Sequence, residues 1–320
     1  MLGRTAVFLL IVASASQAVS GANGGLRVSG TQILDGKGYG FVMRGINYAH
    51  SWFKDDAEKS IPAIARTGVN VVRIVLSNGD TYYKDDAATV QRLLDLCRQN
   101  HLVAMLEVHD ATGSDDVSAL NRAADYWISL ADTLRGLEDR VIINVANEWH
   151  GSSGKAEEWA SAYRSVLPRL RSAGLKHLIV VDAAGWGQDA AVIAQKGRSV
   201  FEADPLRNTI FSIHMYEVAG QDEATVKRHI DNSLAIGVPL IIGEFSDAQT
   251  GKPVDYKTIM SYCRQRSVGW IAWSWYGNNA DTANMDLATG PAGELTNLGW
   301  EIVNGEYGVR STAWPVSTWA

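Results

Sequence analysis

From about residue 40 onward, short apolar runs rich in β-branched residues alternate with longer amphipathic stretches. The apolar runs lie at 41–47, 70–76, 102–109, 141–147, 177–182, 209–216, 239–245 and 269–275. None alternates apolar with polar positions, so each is expected to be covered on both faces, as parallel strands flanked by helices are. Between them, residues 86–100 place Val90, Leu93, Leu94 and Cys97 at helical spacing. Residues 156–173 do the same with Trp159, Tyr163, Val166 and Leu170, and 255–266 with Ile259, Tyr262 and Cys263. Gly68, Gly174 and Gly237 stand where helices would end. Eight strand-then-helix units predict an α/β fold, a (β/α)8 TIM barrel. An open doubly wound sheet is the alternative, but no G-x-G-x-x-G opens the first unit. Ahead of the barrel, residues 26–28 and 32–34 around Ser29-Gly30-Thr31 predict a short N-terminal β-hairpin.

The first residues follow a different pattern. Arg4 precedes an apolar run at 6–13, and the small residues Ser14, Ala15, Ser16, Ala18 and Ser20 follow. This is the pattern of a secretory signal peptide over 1–18, with cleavage as late as 20, leaving 19–320 as a single barrel domain without linker or appended module. Other apolar runs are too short to span a bilayer, so no membrane association is expected. Composition narrows the partners further. Lys and Arg number 29 against 35 Asp and Glu, a formal charge of −6, which leaves no basic surface for nucleic acid or an anionic membrane. Two cysteines are no disulfide framework. Cys97 and Cys263 fall on predicted helices more than ~20 Å apart around a barrel of this kind, too far to bridge. Eleven Trp are many for 320 residues and predict an aromatic-lined groove.

Candidate chemistry clusters at the predicted strand ends, where a barrel carries its active site. The second strand contains Arg73. The third ends Glu107-Val108-His109-Asp110, the fourth Asn147-Glu148-Trp149, and the fifth ends at Asp182, with Trp186 just beyond. The sixth ends His214-Met215-Tyr216, the seventh Gly243-Glu244-Phe245, and the eighth Trp273-Ser274-Trp275; His50 and Trp52 follow the first. Taken singly, Glu148 reads as well as a helix-cap acid and Arg73 as a structural ion pair. All eight ends together point to a site. In an eight-stranded barrel the inward glutamates of strands four and seven leave roughly 5 Å between carboxyl groups. Retaining glycosidases need about 5–5.5 Å, inverting ones about 6.5–9.5 Å. The first strand lacks the H-x-H of metal-dependent barrel hydrolases, and C-x-x-C, H-E-x-x-H and G-x-S-x-G are absent. No metal, no cofactor and no serine nucleophile are therefore expected.

These residues resemble glycoside hydrolase family 5, and more closely its bacterial-type endo-β-1,4-mannanases. The likeness is carried by RGIN at 44–47, VRIVLSNG at 72–79, LEVHDATG at 106–113, IINVANEW at 142–149, DAAGWGQD at 182–189, FSIHMY at 211–216, IIGEF at 241–245 and AWSW at 272–275. It runs from about residue 25 to 310. The resemblance implies retaining hydrolysis of internal β-1,4-mannosidic bonds in a polysaccharide, with Glu148 as acid/base and Glu244 as nucleophile. It implies that Asn147 binds a sugar 2-hydroxyl, that Arg73, His214 and Tyr216 orient the carboxylates, and that Trp273 floors the site. His109, Trp186 and His50 would line the cleft. A carboxylate beside a guanidinium stays ionised, while a more buried one can hold a proton, which agrees with this division of roles. Two positions depart from the family pattern: Tyr48 replaces a His before His50, and Asp247 stands where a His often follows the nucleophile. Both are expected at the cleft rim. An endo-β-1,4-glucanase on the same scaffold and an inactive sugar-binding barrel are the alternatives. The protein is expected to be a secreted monomer. Mass spectrometry of the exported protein should show loss of about 18 to 20 residues; retention of Met1 would contradict the signal.

Overall fold

The computed structural model describes residues 24–319; the expected signal segment at 1–18 lies outside them. A hairpin comes first, β1 (Arg27–Ser29) against β2 (Gln32–Leu34). The barrel strands are then β3 (Arg44–Tyr48), β4 (Val71–Leu76), β5 (Val103–Val108), β6 (Val141–Asn144), β7 (Leu178–Asp182), β8 (Thr209–Met215) and β9 (Leu240–Phe245). After a two-residue hairpin, β10 (Ala248–Gln249) and β11 (Lys252–Pro253), comes the eighth barrel strand, β12 (Gly269–Ala272). The eight pair in parallel and close, β12 bonding to both β9 and β3. The expected (β/α)8 barrel with its N-terminal hairpin is the observed fold. Five of the eight predicted strands began one to three residues early, and the three that began on the observed residue, at 141, 209 and 269, ran one to three residues past the observed end.

The barrel has two apolar layers. Outward residues such as Val72, Ile74 and Leu76 of β4 pack on the helices in one large cluster. Inward residues of the lower barrel, among them Val71, Met105, Ile142, Val180 and Ile271, form a second cluster that Leu26, Ile33 and Val316 cap from below. The cap is stitched by polar contacts. Asn208 receives the Val28 N–H at 3.0 Å and donates to the Leu26 carbonyl at 3.1 Å, and Asp35 receives the Ser317 N–H at 3.0 Å. One end of the barrel is therefore sealed by apolar packing, and polar chemistry is confined to the other.

Helix boundaries follow the predicted faces. Ala87–Gln99 buries Val90, Leu93, Leu94 and Cys97, and its start is capped by Asp86, which accepts the Thr89 N–H. Ala156–Ser172 buries Trp159, Tyr163, Val166 and Leu170. Tyr256–Arg266 buries Ile259 and Cys263 and ends at Ser267 in the left-handed conformation. Both cysteines are unpaired and buried, on helices that follow β4 and β9. Burial pushes each thiol up to about 12, so neither offers a reactive thiolate at neutral pH.

Candidate active site

Side chains on a strand alternate between faces, and that parity decides what enters the barrel. On β4, Val71 points into the lower core, so Arg73 points inward one layer higher. By the same rule Asn47, Glu107, Asn144, Asp182 and His214 form a polar layer above the apolar one. All are completely buried.

Arg73 is the centre of this layer. Its Nε donates to Asn144 Oδ1 at 3.0 Å. Its Nη1 donates to Asn47 Oδ1 at 2.9 Å and to Glu244 Oε1 at 2.8 Å. Its Nη2 donates to Asn147 Oδ1 at 2.7 Å and lies 3.6 Å from Asp182. Burial alone would favour neutral Arg73; Glu107, Glu244 and Asp182 outweigh it and raise the guanidinium's pKa. Asn144 passes the constraint on, donating to Asp182 Oδ1 at 3.1 Å.

The two glutamates sit side by side above this layer. Glu244, at the end of β9, has both oxygens engaged: Arg73 on Oε1, and the Tyr216 hydroxyl donating to Oε2 at 2.8 Å. Glu148, beyond β6, receives His214 Nδ1 on Oε1 at 2.8 Å. One oxygen of Glu148, one nitrogen of His214 and one oxygen of Glu244 lie within 4.8 Å of one another. The Glu148 backbone is left-handed, with φ of 46°, and its N–H is held by Asp182 at 3.1 Å. Such a conformation is costly for a side-chain-bearing residue, and here it aims the carboxyl at its partner.

Electrostatics separate the pair. Burial raises the Glu148 pKa, and the Glu244 charge raises it further; His214 and His109 oppose the rise without cancelling it. Burial works against charge on His214, but Glu244, Asp182 and Glu148 around it lift its pKa to about 10. Asp182 is held at about 2, because His214 and Arg73 overcome its burial. Thus His214 is an imidazolium that donates to Glu148 through Nδ1 and faces Asp182 through Nε2 at 3.4 Å. Among the described residues, Glu148, His214 and Glu244 are the one group close enough to hold a metal ion. Their chemistry does not suit one: Arg73 already supplies a fixed positive charge, and His214 presents an N–H rather than a lone pair.

Two cavities meet at the glutamates, sharing Glu148, Tyr216 and Gln249. One, of about 410 Å³, is walled by Trp52, His109, Asn147 and Trp273. His109 stacks on Trp273 with ring centres 5.9 Å apart, and Trp52 meets both edge-on. The indole N–H of Trp273 donates to Asn278 at 2.9 Å, and its peptide bond to Ser274 is cis. The other cavity, of about 600 Å³, is walled by Trp186, Gln188 and Glu217. Trp186 is half exposed, and its ring lies against Gly113, where any side chain would collide with it.

Of the residues singled out in the sequence, Arg73, His109, Asn147, Glu148, His214, Tyr216, Glu244 and Trp273 converge here, and Trp186 flanks them. His50 does not. The short turn His50–Trp52 directs His50 beneath the loop after β4, where it is fully buried with Nε2 3.4 Å from Asp85. Trp52, two residues on, reaches the cleft in its place. Tyr48 is not at the rim either. It follows inward Asn47 and so points into the helix layer, its hydroxyl donating to the Phe53 carbonyl at 2.8 Å. Asp247 does lie near the rim, accepting from Asn284 at 2.9 Å. The sequence reading gave no role to Asn47, Asn144, Glu107 and Asp182. Their signal was a polar residue at an inward position in an otherwise apolar strand.

Comparison with known proteins places this arrangement. Residues 34–279 match the family model for cellulase (glycosyl hydrolase family 5). The chain is 51% identical to a mannan endo-1,4-beta-mannosidase of Salipaludibacillus agaradhaerens, over 91% of this chain and 94% of that one. Its fold superposes on a beta-mannanase from Thermomonospora fusca with a TM-score of 0.87, at 37% identity, covering 92% of this chain and 99% of the other. A beta-mannanase from Streptomyces thermolilacinus, solved with mannohexaose, gives 0.86 at 38% identity, covering 92% and 98%. With the barrel closed, the polar layer at its open end and relatives matched along nearly their whole length, the chain belongs to glycosyl hydrolase family 5.

Proposed function

We propose that this protein is a secreted, monomeric endo-β-1,4-mannanase that hydrolyses mannan-type polysaccharides with retention and without a cofactor. The observation that carries the chemistry is the approach of Glu148 and Glu244 oxygens to within 4.8 Å. So close an approach supports the shorter carboxyl spacing of a covalent double displacement over the wider spacing of an inverting site. The high identity to a mannan endo-1,4-beta-mannosidase supports mannan as the substrate. Cavities on both sides of the pair suit a chain bound across the site, hence internal cleavage.

The roles follow from the surroundings of each carboxyl. Glu244, gripped by Arg73 and Tyr216, is oriented as the nucleophile that attacks the anomeric carbon. Glu148, its pKa raised by burial, carries the proton that leaves with the aglycone oxygen, and as carboxylate it then activates water. Asn147 spends its carbonyl on Arg73 and one N–H on Thr112 at 3.0 Å, which leaves the other N–H for a sugar hydroxyl. Trp273, Trp52 and, on the far side, Trp186 offer flat apolar faces to pyranose rings.

The test is release of reducing ends from galactomannan, glucomannan and carboxymethylcellulose. Release from the two mannans and little from the cellulose derivative is expected. The reverse would make the enzyme a glucanase, and no release from any would make it a sugar-binding barrel.

The pH profile tests the acid. Glu148 acts protonated in the first step, so kcat/KM falls as pH rises through its pKa. His214 opposes the elevation of that pKa, so removing its positive charge in His214→Asn moves the alkaline limb upward, by about one pH unit or more, alongside an overall loss of rate. A downward movement would contradict the assignment.

A further inference from the structure

The polar layer holds more charge than the two glutamates require. Four buried carboxylates, Glu107, Glu148, Asp182 and Glu244, share it with three basic groups, Arg73, His109 and His214. Arg73, His214 and Asp182 lock one another in place around Glu244 and Glu148. Glu107 stands apart. It projects from β5 with no exposed surface, 3.9 Å from Arg73 Nη1, and its Oε1 lies 2.8 Å from His109 Nδ1. Its other oxygen has no hydrogen-bond partner. A buried carboxylate with one free oxygen is costly, and its closest engagement is the imidazole two residues along the strand.

His109 faces the cleft. Its ring is stacked on Trp273 and edge-on to Trp52, which fixes its plane. Nδ1 is taken by Glu107, so Nε2 is the ring nitrogen left for the cavity beside Glu244.

We propose that Glu107 is a positioning residue that holds His109 as an imidazolium, so that Nε2–H is a fixed donor to a sugar hydroxyl on the Trp273 side of the cleft. This rests on the glycosidase reading and names a recognition element within it. The groups facing His109 are Glu107 on its own strand, Glu148 beyond β6 and Glu244 on β9, with Arg73 behind Glu107 and His214 behind the glutamates. Burial opposes charge on the ring, but the carboxyls of Glu107 first, then Glu244 and, once ionised, Glu148 outweigh it and raise its pKa.

Two measurements test this. In enzyme carrying ¹⁵N-labelled histidine, with the His109 signal assigned by its loss in His109→Ala, the imidazole should be doubly protonated at pH 7. In Glu107→Gln, whose amide oxygen still accepts from Nδ1–H but carries no charge, it should be neutral at that pH. Kinetics on a β-1,4-linked hexasaccharide that the enzyme cleaves should show KM rising about tenfold in Glu107→Gln with a smaller change in kcat. In a His109→Ala background the same substitution should leave KM unchanged, because its route has been removed. A neutral His109 in the native enzyme, or an undiminished effect of Glu107→Gln without His109, would overturn the proposal. The titration of the native enzyme decides even where the variant does not fold. It also requires no turnover, so inactivity on every glycan would end the functional reading separately.

Discussion

A fully buried guanidinium in the middle of a barrel governs this site. Arg73 is fully buried, so its N–H groups depend on the protein, and four of the five are met by the side chains of Asn144, Asn47, Glu244 and Asn147, with Asp182 3.6 Å from Nη2. The planar fork fixes directions as well as distances, which a lysine could not do. Removing one partner of such a buried charge costs about 3–5 kcal/mol, because the charge left behind has no solvent. The positions of Glu244 and Asn147 are therefore set by the needs of Arg73, before any substrate arrives. Asn144 extends the same constraint to Asp182, and Asp182 to the Glu148 backbone and to His214. Residues of five other strands, β3, β6, β7, β8 and β9, are tied to one cation.

That arrangement explains how two chemically identical glutamates diverge. Glu244 touches Arg73 directly. Glu148 does not, and meets positive charge through the His214 imidazolium. Both are largely buried, and two carboxylates so close cannot both ionise freely. Burial and the charge of its partner raise the pKa of the member without the guanidinium, Glu148. On the proposed reading, a fixed internal cation, an imidazolium between the pair and the left-handed backbone of Glu148 would build an acid and a nucleophile from the same side chain.

Much of this was legible in the chain. Uninterrupted apolar runs at regular spacing demanded strands buried on both faces, and eight of them demanded a closed barrel. The two facing glutamates could be found because carboxylates ended strands four and seven. What escaped was decided by parity and by loop shape. Tyr48 looks like a rim residue by its place after the first strand, but it lies one residue past inward Asn47 and points among the helices. His50 lost the cleft to Trp52 because a three-residue turn reverses their directions, and no composition rule sets that turn. Asn47 and Asn144 went unassigned because each is a lone amide in an apolar run, meaningful only once Arg73 is known to lie between them.

The central claim is that Arg73 makes Glu244 the nucleophile and leaves Glu148 the proton. The direct measurement is the configuration of the azide formed by each alanine variant with an activated aryl β-mannobioside. In Glu148→Ala the covalent intermediate still forms, and azide entering where water would yields the β-glycosyl azide. In Glu244→Ala azide enters through the space the nucleophile has left and yields the α-glycosyl azide. The opposite pairing would reverse the two roles and contradict the account.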